Sequence, residues 1–507
     1  MPRRGKRTKS AQIREKLDHP VIDSDGHLRE FQPLFLDYVR KVGGPALFKR
    51  YQDRFKGSVL GFDLRGGDLY GVNQDPRDPK RQDWRTPRGV WFGSPMQHTL
   101  NAATPFLPKL LHQRMDDMGL DYTILYPGLG LALPHQADEE IRGATIRALN
   151  TYFSETTRDY ADRMTPAAVI PMHTPKEALA ELNYAVTELG AKVIMIPPGV
   201  MRPIPALHRK YPEAFPDAAW ADNFGLDSLH DYDAVWQRCM ELKVVVTCHG
   251  GMVPNTMWNG RSISNFSFNH IGNMALQQHW FCKSIFMGGV TRRFPDLQFA
   301  FMECGVGWAC MLYADLIGHW DKRNLAALPQ FDPANLDGQR YTELLREYGG
   351  KFMDGMLDRP ETFLPRKTKV TDPVLLDEWS ALKIEQKKDF KALFTDTFNF
   401  GCEADDPITA WGFDTKRNPY GARLNAMLGS DIGHFDQPDM TEVLEEAYEL
   451  VEHDLLDVDQ FRDFTFGNAA RMHLKMNPDF FKGTRVEAAT DKLMPRAKSK
   501  QKTPRAA

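Results

Sequence analysis

The sequence predicts an α/β fold, a closed (β/α)8 barrel with an inserted segment late in the chain. Apolar runs of strand length alternate with helical stretches, and one of them, Val244-Val245-Val246-Thr247, is a continuous β-branched run of the kind buried on both faces of a parallel sheet. Acidic or histidine side chains stand at the carboxyl ends of the first, fifth, sixth and eighth runs. A doubly wound open sheet gives a similar local alternation, but only a closed barrel brings all those ends to one face.

The first strand is expected at 21–23, with the polar residues Ser24 to His27 turning away from it. In RMDDMGLDYTILYPG, Met115, Met118 and Leu120 mark a helical face, and residues 122–125 form the second strand, closed by Pro127-Gly128. A helix over 138–160, a strand at 167–170, a helix over 175–189 and a strand at 193–196 continue the alternation. A helix over 232–241 leads to the fifth strand at 244–247, which ends in Cys248-His249-Gly250-Gly251. A helix over 274–286 then precedes the sixth strand at 297–302, followed by Glu303-Cys304-Gly305. Residues from about 319 to 393 are rich in charge and proline and read as the insertion. The seventh strand falls at 394–402 and the eighth at 426–428, leading into Gly429-Ser430-Asp431, with a helix over 440–453 beyond. The domain plan is a basic flexible tail over 1–18, the barrel over 19–485, and a second basic tail over 486–507.

Of 507 residues, 42% are hydrophobic and 26% charged, enough apolar surface for a folded body. A net charge of -3 gives no global field for nucleic acid or an anionic membrane, which leaves a small-molecule substrate as the expected partner. The six cysteines lack CxxC spacing, so neither a disulfide framework nor a cysteine zinc module is expected, and a reducing cytoplasm fits. The basic start MPRRGKRTKS leads into no apolar h-region, and no run is long enough to span a membrane.

Asp25 and His27 are two residues apart, so on extended backbone both side chains point one way and can meet one ion. His249 leaves an apolar strand beside two glycines, and Asp431 leaves the eighth strand in GSDIGHFD. Each has a bland alternative: Asp25 and Asp431 as turn residues, His27 as a surface imidazole, His249 as a satisfied buried one. Together they make an imidazole and carboxylate set suited to Zn, Mn or Fe(II). His270, in SNFSFNHIGN, is a candidate acid or substrate ligand, and His434 a candidate proton carrier or second-metal ligand. Glu403, Asp405 and Asp406 read as a solvated loop, with Glu403 facing the ion if the seventh strand is placed correctly. Gly-Asn in FGNAARM reads as a helix cap. Trp258, Phe266, Trp308 and Trp411 are candidates for pocket lining, with plain packing the alternative.

Over residues 20 to 485 the chain resembles the amidohydrolase superfamily, in its amidohydrolase-related branch that includes aminocarboxymuconate semialdehyde decarboxylase. VIDSDGH, RMDDMGLDYTILYP, ELGAKVIMIPP, VVVTCHGG, TRRFPDLQFAFMECGVGW, LGSDIGHFD and FGNAARM carry the resemblance. It implies a distorted (β/α)8 TIM barrel and a divalent metal used for hydrolysis or nonoxidative decarboxylation. Carried over by position, it implies metal ligands at His27 and His249 and a ligand or catalytic carboxylate at Asp431. Asp25 stands where the family's HxH motif has its first histidine, and Glu303 stands where the sixth strand has another. Glu303 is expected to ligate, with a substrate contact or an orienting role as the alternative. Two added carboxylates make the site harder, which tilts metal choice from Zn toward Mn or Fe and leaves room for one ion or two. The resemblance also implies a homodimer. The leading functional expectation is a metal-dependent hydrolase acting through an activated water. A metal-dependent decarboxylase of an aromatic or enoic acid and a noncatalytic metal-binding partner subunit are the alternatives.

Overall fold

Burial decides the architecture: eight short segments are almost wholly inaccessible on both faces, and they assemble side by side into one parallel sheet. The computed structural model describes residues 7–55, 75, 77–83, 88, 97–214, 218–250, 262–366 and 376–494. The strands are β1 (Ile22–Leu28), β2 (Tyr122–Pro127), β3 (Met164–Val169), β4 (Val193–Ile196), β5 (Val245–His249), β6 (Phe299–Met302), β7 (Phe398–Cys402) and β8 (Asn425–Leu428), each parallel to the next. The seam between β8 and β1 is closed by the backbone. The Asp431 N–H donates to the Asp25 carbonyl at 2.8 Å and the His27 N–H to the Ile432 carbonyl at 2.9 Å, so the sheet is a (β/α)8 barrel.

Helices include α1 (Lys9–Lys16), α2 (Gln32–Phe55), α3 (Pro108–Met118), α4 (Glu139–Thr157), α5 (Pro175–Asn183), α6 (Asp233–Leu242), α7 (Asn273–Met287), α8 (Gly307–Arg323), α9 (Gly338–Gly349), α10 (Asp389–Thr395), α11 (Val443–Glu452) and α12 (Asn468–Met476). Local chemistry sets their ends. Asp138 accepts from the Ile141 N–H at the start of α4, and Thr174 accepts from the Glu177 N–H ahead of Pro175 in α5. Gly119, at φ 75°, stops α3 and turns the chain into β2. A cluster of Phe286, Phe390, Phe394, Phe398 and Phe400 packs α7 and α10 against β7.

Several boundaries differ from the sequence pattern. The segment expected to turn away at Ser24–His27 is strand, because the polar side chains of IDSDGHL are buried in the barrel mouth. Likewise β5 runs on through Cys248 and His249. Phe394 belongs to α10 and β7 starts only at Phe398, since Phe390, Leu393 and Phe394 bury a helix face. Gly467 is helical (φ -64°, ψ -42°) within an unbroken helical run over 458–476, so Gly-Asn is no cap; the Asn468 amide instead donates to the Ala426 carbonyl at 2.8 Å. Besides α8, two of the elements without a counterpart in the pattern have a local reason. One is α2, whose helical period is broken by Gly44 (φ 73°) and Pro45. The other is an antiparallel hairpin of Val200–Pro203 with Ala219–Asp222, too short and too half-exposed to give a strand signal.

The expected tails are partly helical. Residues 9–16 form α1, held by Thr8 Oγ1 donating to the Asp117 carbonyl and by Ser10 Oγ accepting from the Glu445 N–H, and Glu487–Leu493 is a helix. Residues 1–6 and 495–507 lie outside the described residues. The connection from β6 to β7, which contains the expected insertion, carries α8, α9 and α10. All six cysteines are unpaired thiols. Among the described residues no helix is long and apolar enough to cross a membrane.

Candidate metal centre

Four strand ends supply the centre. Asp25 sits within a bulge of β1 and His27 just beyond it, where β1 takes three steps from Asp23 to Gly26 while β2 takes two from Thr123 to Leu125. Gly26 lies between them, and a Cβ there would fall 2.7 Å from both Asp23 Oδ2 and Thr123 Oγ1, so no other residue fits without displacing the strand. His249 ends β5 with Nδ1 2.6 Å from the Gly250 carbonyl oxygen. That nitrogen therefore donates, and the Nε2 lone pair faces inward. Glu303 and Asp431, just past β6 and β8, both adopt left-handed backbone (φ 51° and 48°). Left-handed geometry costs a residue bearing a Cβ roughly 1–3 kcal/mol, a strain that tends to collect at functional positions.

Beneath the centre Asp23 acts as a clamp. Its carboxylate accepts from Thr123 Oγ1 (2.6 Å), Ser430 Oγ (2.8 Å), the Ser430 N–H (2.8 Å) and the Asp25 N–H (3.1 Å). β1, β2 and the end of β8 are thereby tied to one side chain. Above it, His27 Nε2 lies 3.6 Å from Asp25 Oδ1 and 3.1 Å from Asp431 Oδ1, while His249 Nε2 lies 3.6 Å from Asp25 Oδ1 and 3.2 Å from Glu303 Oε2. The Tyr126 ring packs against both imidazoles.

Burial without hydrogen bonds distinguishes this cluster. Asp25 Oδ1, His27 Nε2, His249 Nε2, Glu303 Oε2 and both Asp431 carboxylate oxygens are inaccessible and have no hydrogen-bond partner. Leaving one such group unmade costs about 1–3 kcal/mol, more when it is charged, so a set of them facing one point calls for a cation. The donors fit one: Asp25, His27 and His249 offer ligand atoms within 4.8 Å of one another, as do His27, Glu303, Asp431 and His434. Burial, reinforced by Asp431, holds the Asp25 and Glu303 carboxyls well above their usual range. Burial also depresses His27 and His249 to about 3, so both rings are neutral and able to ligate.

His434 lies beside the cluster, with Nδ1 2.7 Å from Asp431 Oδ1 and its ring stacked on His27 at 3.5 Å between centroids. His270 stands further out, stacked on Phe266, edge-on to Phe435 and 3.8 Å from Asp436 Oδ1. Glu403 is not a solvated loop residue: burial, then Asp431, pushes its carboxyl up to about 7. Of the aromatic candidates, Trp308 packs on Phe301 and Phe400, Trp411 is half exposed beside Gly307, and Trp258 lies outside the described residues. Asp23, Ser430, Asp436 and Arg29 escaped the sequence reading. Asp436 had a usable signal, since it stands two residues beyond His434 in GSDIGHFD, the same separation as between Asp25 and His27. Asp23, read as the end of an apolar run, had none.

The family model described as amidohydrolase matches residues 98–351, a span that contains His249, His270 and Glu303. No curated protein matches. Among solved structures, an amidohydrolase from Mycobacterium avium subsp. paratuberculosis K-10 is 17% identical, with 90% of this chain and 98% of that one covered at a TM-score of 0.52. A dihydroxybenzoic acid decarboxylase from Polaromonas sp. JS666, with bound manganese and 2-nitroresorcinol, is 13% identical over 90% of this chain and 97% of that one (TM-score 0.45). A 5-carboxyvanillate decarboxylase from Sphingomonas paucimobilis is 13% identical over 90% and 98% (TM-score 0.44). Likeness at these identities concerns the fold.

Proposed function

The chain belongs to the amidohydrolase family, and from that premise we propose that it is a metal-dependent hydrolase of a small organic substrate. Asp25, His27, His249, Glu303 and Asp431 would hold a divalent ion of the Zn, Mn or Fe group. The carrying observation is the set of buried, hydrogen-bond-free oxygen and nitrogen atoms that those five side chains turn toward one another.

When bound, such an ion polarises a substrate carbonyl and acidifies a water. Asp431 accepts the proton of the attacking water, and His434 Nδ1, 2.7 Å from Asp431 Oδ1, carries it to the leaving group. The stack of His27 under His434 keeps that ring facing the carboxylate. Because His27 and His249 are neutral above about 3, they act as ligands and not as acids in this scheme. Elemental analysis after mild purification is expected to find near-stoichiometric transition metal. Asp431→Asn is expected to abolish turnover with an unchanged circular dichroism spectrum; a metal-free protein that takes up none on reconstitution refutes the reading.

One observation favours a second reading, nonoxidative decarboxylation of a carboxylic acid. Arg29 is half buried two residues beyond His27, its guanidinium over the Phe106 ring at 5.3 Å and its charge acting on His434. A cation there suits a substrate carboxylate. Turnover of a panel of esters, amides and aromatic acids in 18O-labelled water separates the two: hydrolysis puts the label into product, whereas decarboxylation releases carbon dioxide without it.

A further inference from the structure

We propose that a separate ligand site lies at the opposite end of the barrel from the metal centre, in a cavity that takes a single-ring aromatic carboxylate. The cavity measures about 190 Å3 and is lined from the amino ends of three strands, where Tyr122 opens β2, Met164 opens β3 and Lys192 precedes β4. Phe153 of α4, Arg158 just past its carboxyl end and Leu189 beyond α5 complete the wall. The metal centre is at the other ends of the strands. Along β2, four residues separate Tyr122 from Tyr126, whose ring packs against both metal-facing imidazoles, about 13 Å at the usual strand rise of roughly 3.3 Å per residue. The inference therefore does not depend on the ion.

Size and chemistry select the ligand. A dry cavity of about 150 Å3 accepts benzene, so this one has room for a ring and a small polar group. The rings of Phe153 and Tyr122 and the Met164 thioether offer it aromatic and sulfur contacts. No aspartate or glutamate is among the described residues that line the cavity, whereas two cations are. Among the described residues the exposed Arg158 guanidinium has no ion pair or hydrogen bond. Lys192 Nζ donates to the Phe480 carbonyl at 2.8 Å and keeps two protons for another acceptor. Asp162, the acid whose charge reaches Tyr122, is turned to His112 Nε2 at 3.0 Å. An anion is what this wall lacks. A second observation points the same way: Tyr122 is wholly buried, and its hydroxyl is inaccessible with no hydrogen-bond partner. Thr165 acts on that hydroxyl but falls short of a hydrogen bond. A carboxylate has acceptor positions enough for Arg158, Lys192 and this phenol together. The wall at Leu189 follows a π turn over Tyr184–Glu188, held to α4 by Ser154 Oγ donating to the Leu189 carbonyl at 3.1 Å. Such turns are rare and gather at functional places.

The test is a titration of the full chain, carrying 13C at its methionine methyls, with benzoate as the probe. The Met164 methyl signal, identified by its loss in Met164→Leu, is expected to shift and to saturate. Benzyl alcohol keeps the ring without the charge and acetate the charge without the ring, and each is expected to need at least about tenfold more for the same shift. Arg158→Gln, at an exposed side chain, should raise the benzoate midpoint about tenfold with metal content unchanged. Tyr122→Phe should also raise the midpoint, yet melt no lower than the wild type, because the hydroxyl it removes makes no bond in the free protein. A Met164 signal that does not respond to benzoate overturns the site, even where benzoate binds at the metal centre. An equal response to benzyl alcohol or acetate, or an Arg158→Gln midpoint equal to that of the wild type, overturns it as well.

Discussion

Metal binding at this centre should be steeply pH dependent, with a slope set by the carboxylates and not by the histidines. Without an ion, Asp25 and Glu303 are held well above the usual carboxylate range, first by burial and then by Asp431, so protons compete with the ion for both. An entering ion must displace those protons. His27 and His249, at about 3, carry none to lose. Binding one ion therefore releases protons, and the apparent affinity rises with pH, by about tenfold per pH unit for each proton displaced. The sign follows from which form ligates: the deprotonated carboxylate binds, so affinity grows as pH rises. Competition against a chromophoric chelator at about pH 6, 7 and 8 measures the slope, and calorimetry in buffers of different ionisation enthalpy counts the protons. Glu303→Gln should lower the slope, because one of the two protonated ligands is removed. A slope near zero in the wild type refutes the reasoning, because the carboxyls would then be ionised without the ion or would not ligate it.

Other outcomes follow from the scaffold. Ser430→Ala removes one of the two hydroxyls that donate to Asp23 Oδ2 and should cost about 1–3 kcal/mol in urea unfolding. Metal affinity should fall at least about tenfold in the same variant, because the clamp also positions Asp25 and Asp431. Phe286→Ala, at a fully buried ring packed on Phe390, Phe394 and Phe398, should destabilise by about 3–5 kcal/mol with metal stoichiometry unchanged. His473 is wholly buried against Phe480 and depressed by burial from 6.5 to about 3. The unfolded chain takes up that proton first, so this contribution to stability is full above 6.5 and is lost as pH falls toward 3. His473→Leu should flatten the acid limb of the stability profile by about 1.4 kcal/mol per pH unit, and an unchanged limb would count against burial as the cause.

The barrel was legible wherever a strand was apolar throughout. Val193–Ile196 falls at the residues its sequence predicts because all four of its apolar side chains are buried. β1 was not, since its burial is equally complete but is filled by aspartates, serine and histidine, and hydrophobic pattern is the only strand signal a single sequence carries. The same inversion explains the site. Asp25, His27, His249, Glu303 and Asp431 were visible because each interrupts or ends an apolar run, whereas Asp23 was hidden inside one. Glu403 looked solvated because its acidic neighbours Asp405 and Asp406 suggest a loop, yet burial holds its carboxyl up. The expected closed barrel brings the ends of β1 and β8 to one face, but the individual bonds between them, such as Ser430 to Asp23, could not be read, as nothing local marks residues so distant in the chain as partners.

Those contacts have a bearing on how the protein is made. Asp23 and Ser430, which bond across the seam, are 407 positions apart. During synthesis the members of the cluster on β1 emerge ahead of the rest and wait for the loop that carries Asp431. Until β8 is delivered the cylinder is an open trough, Asp23 lacks both of its Ser430 donors, and the carboxylates that crowd the centre have not yet been brought together. Assembly of the ion pocket and delivery of β8 are thus a single event, so a carboxyl-terminal deletion that stops short of residue 430 should abolish metal capture even where the earlier strands still form.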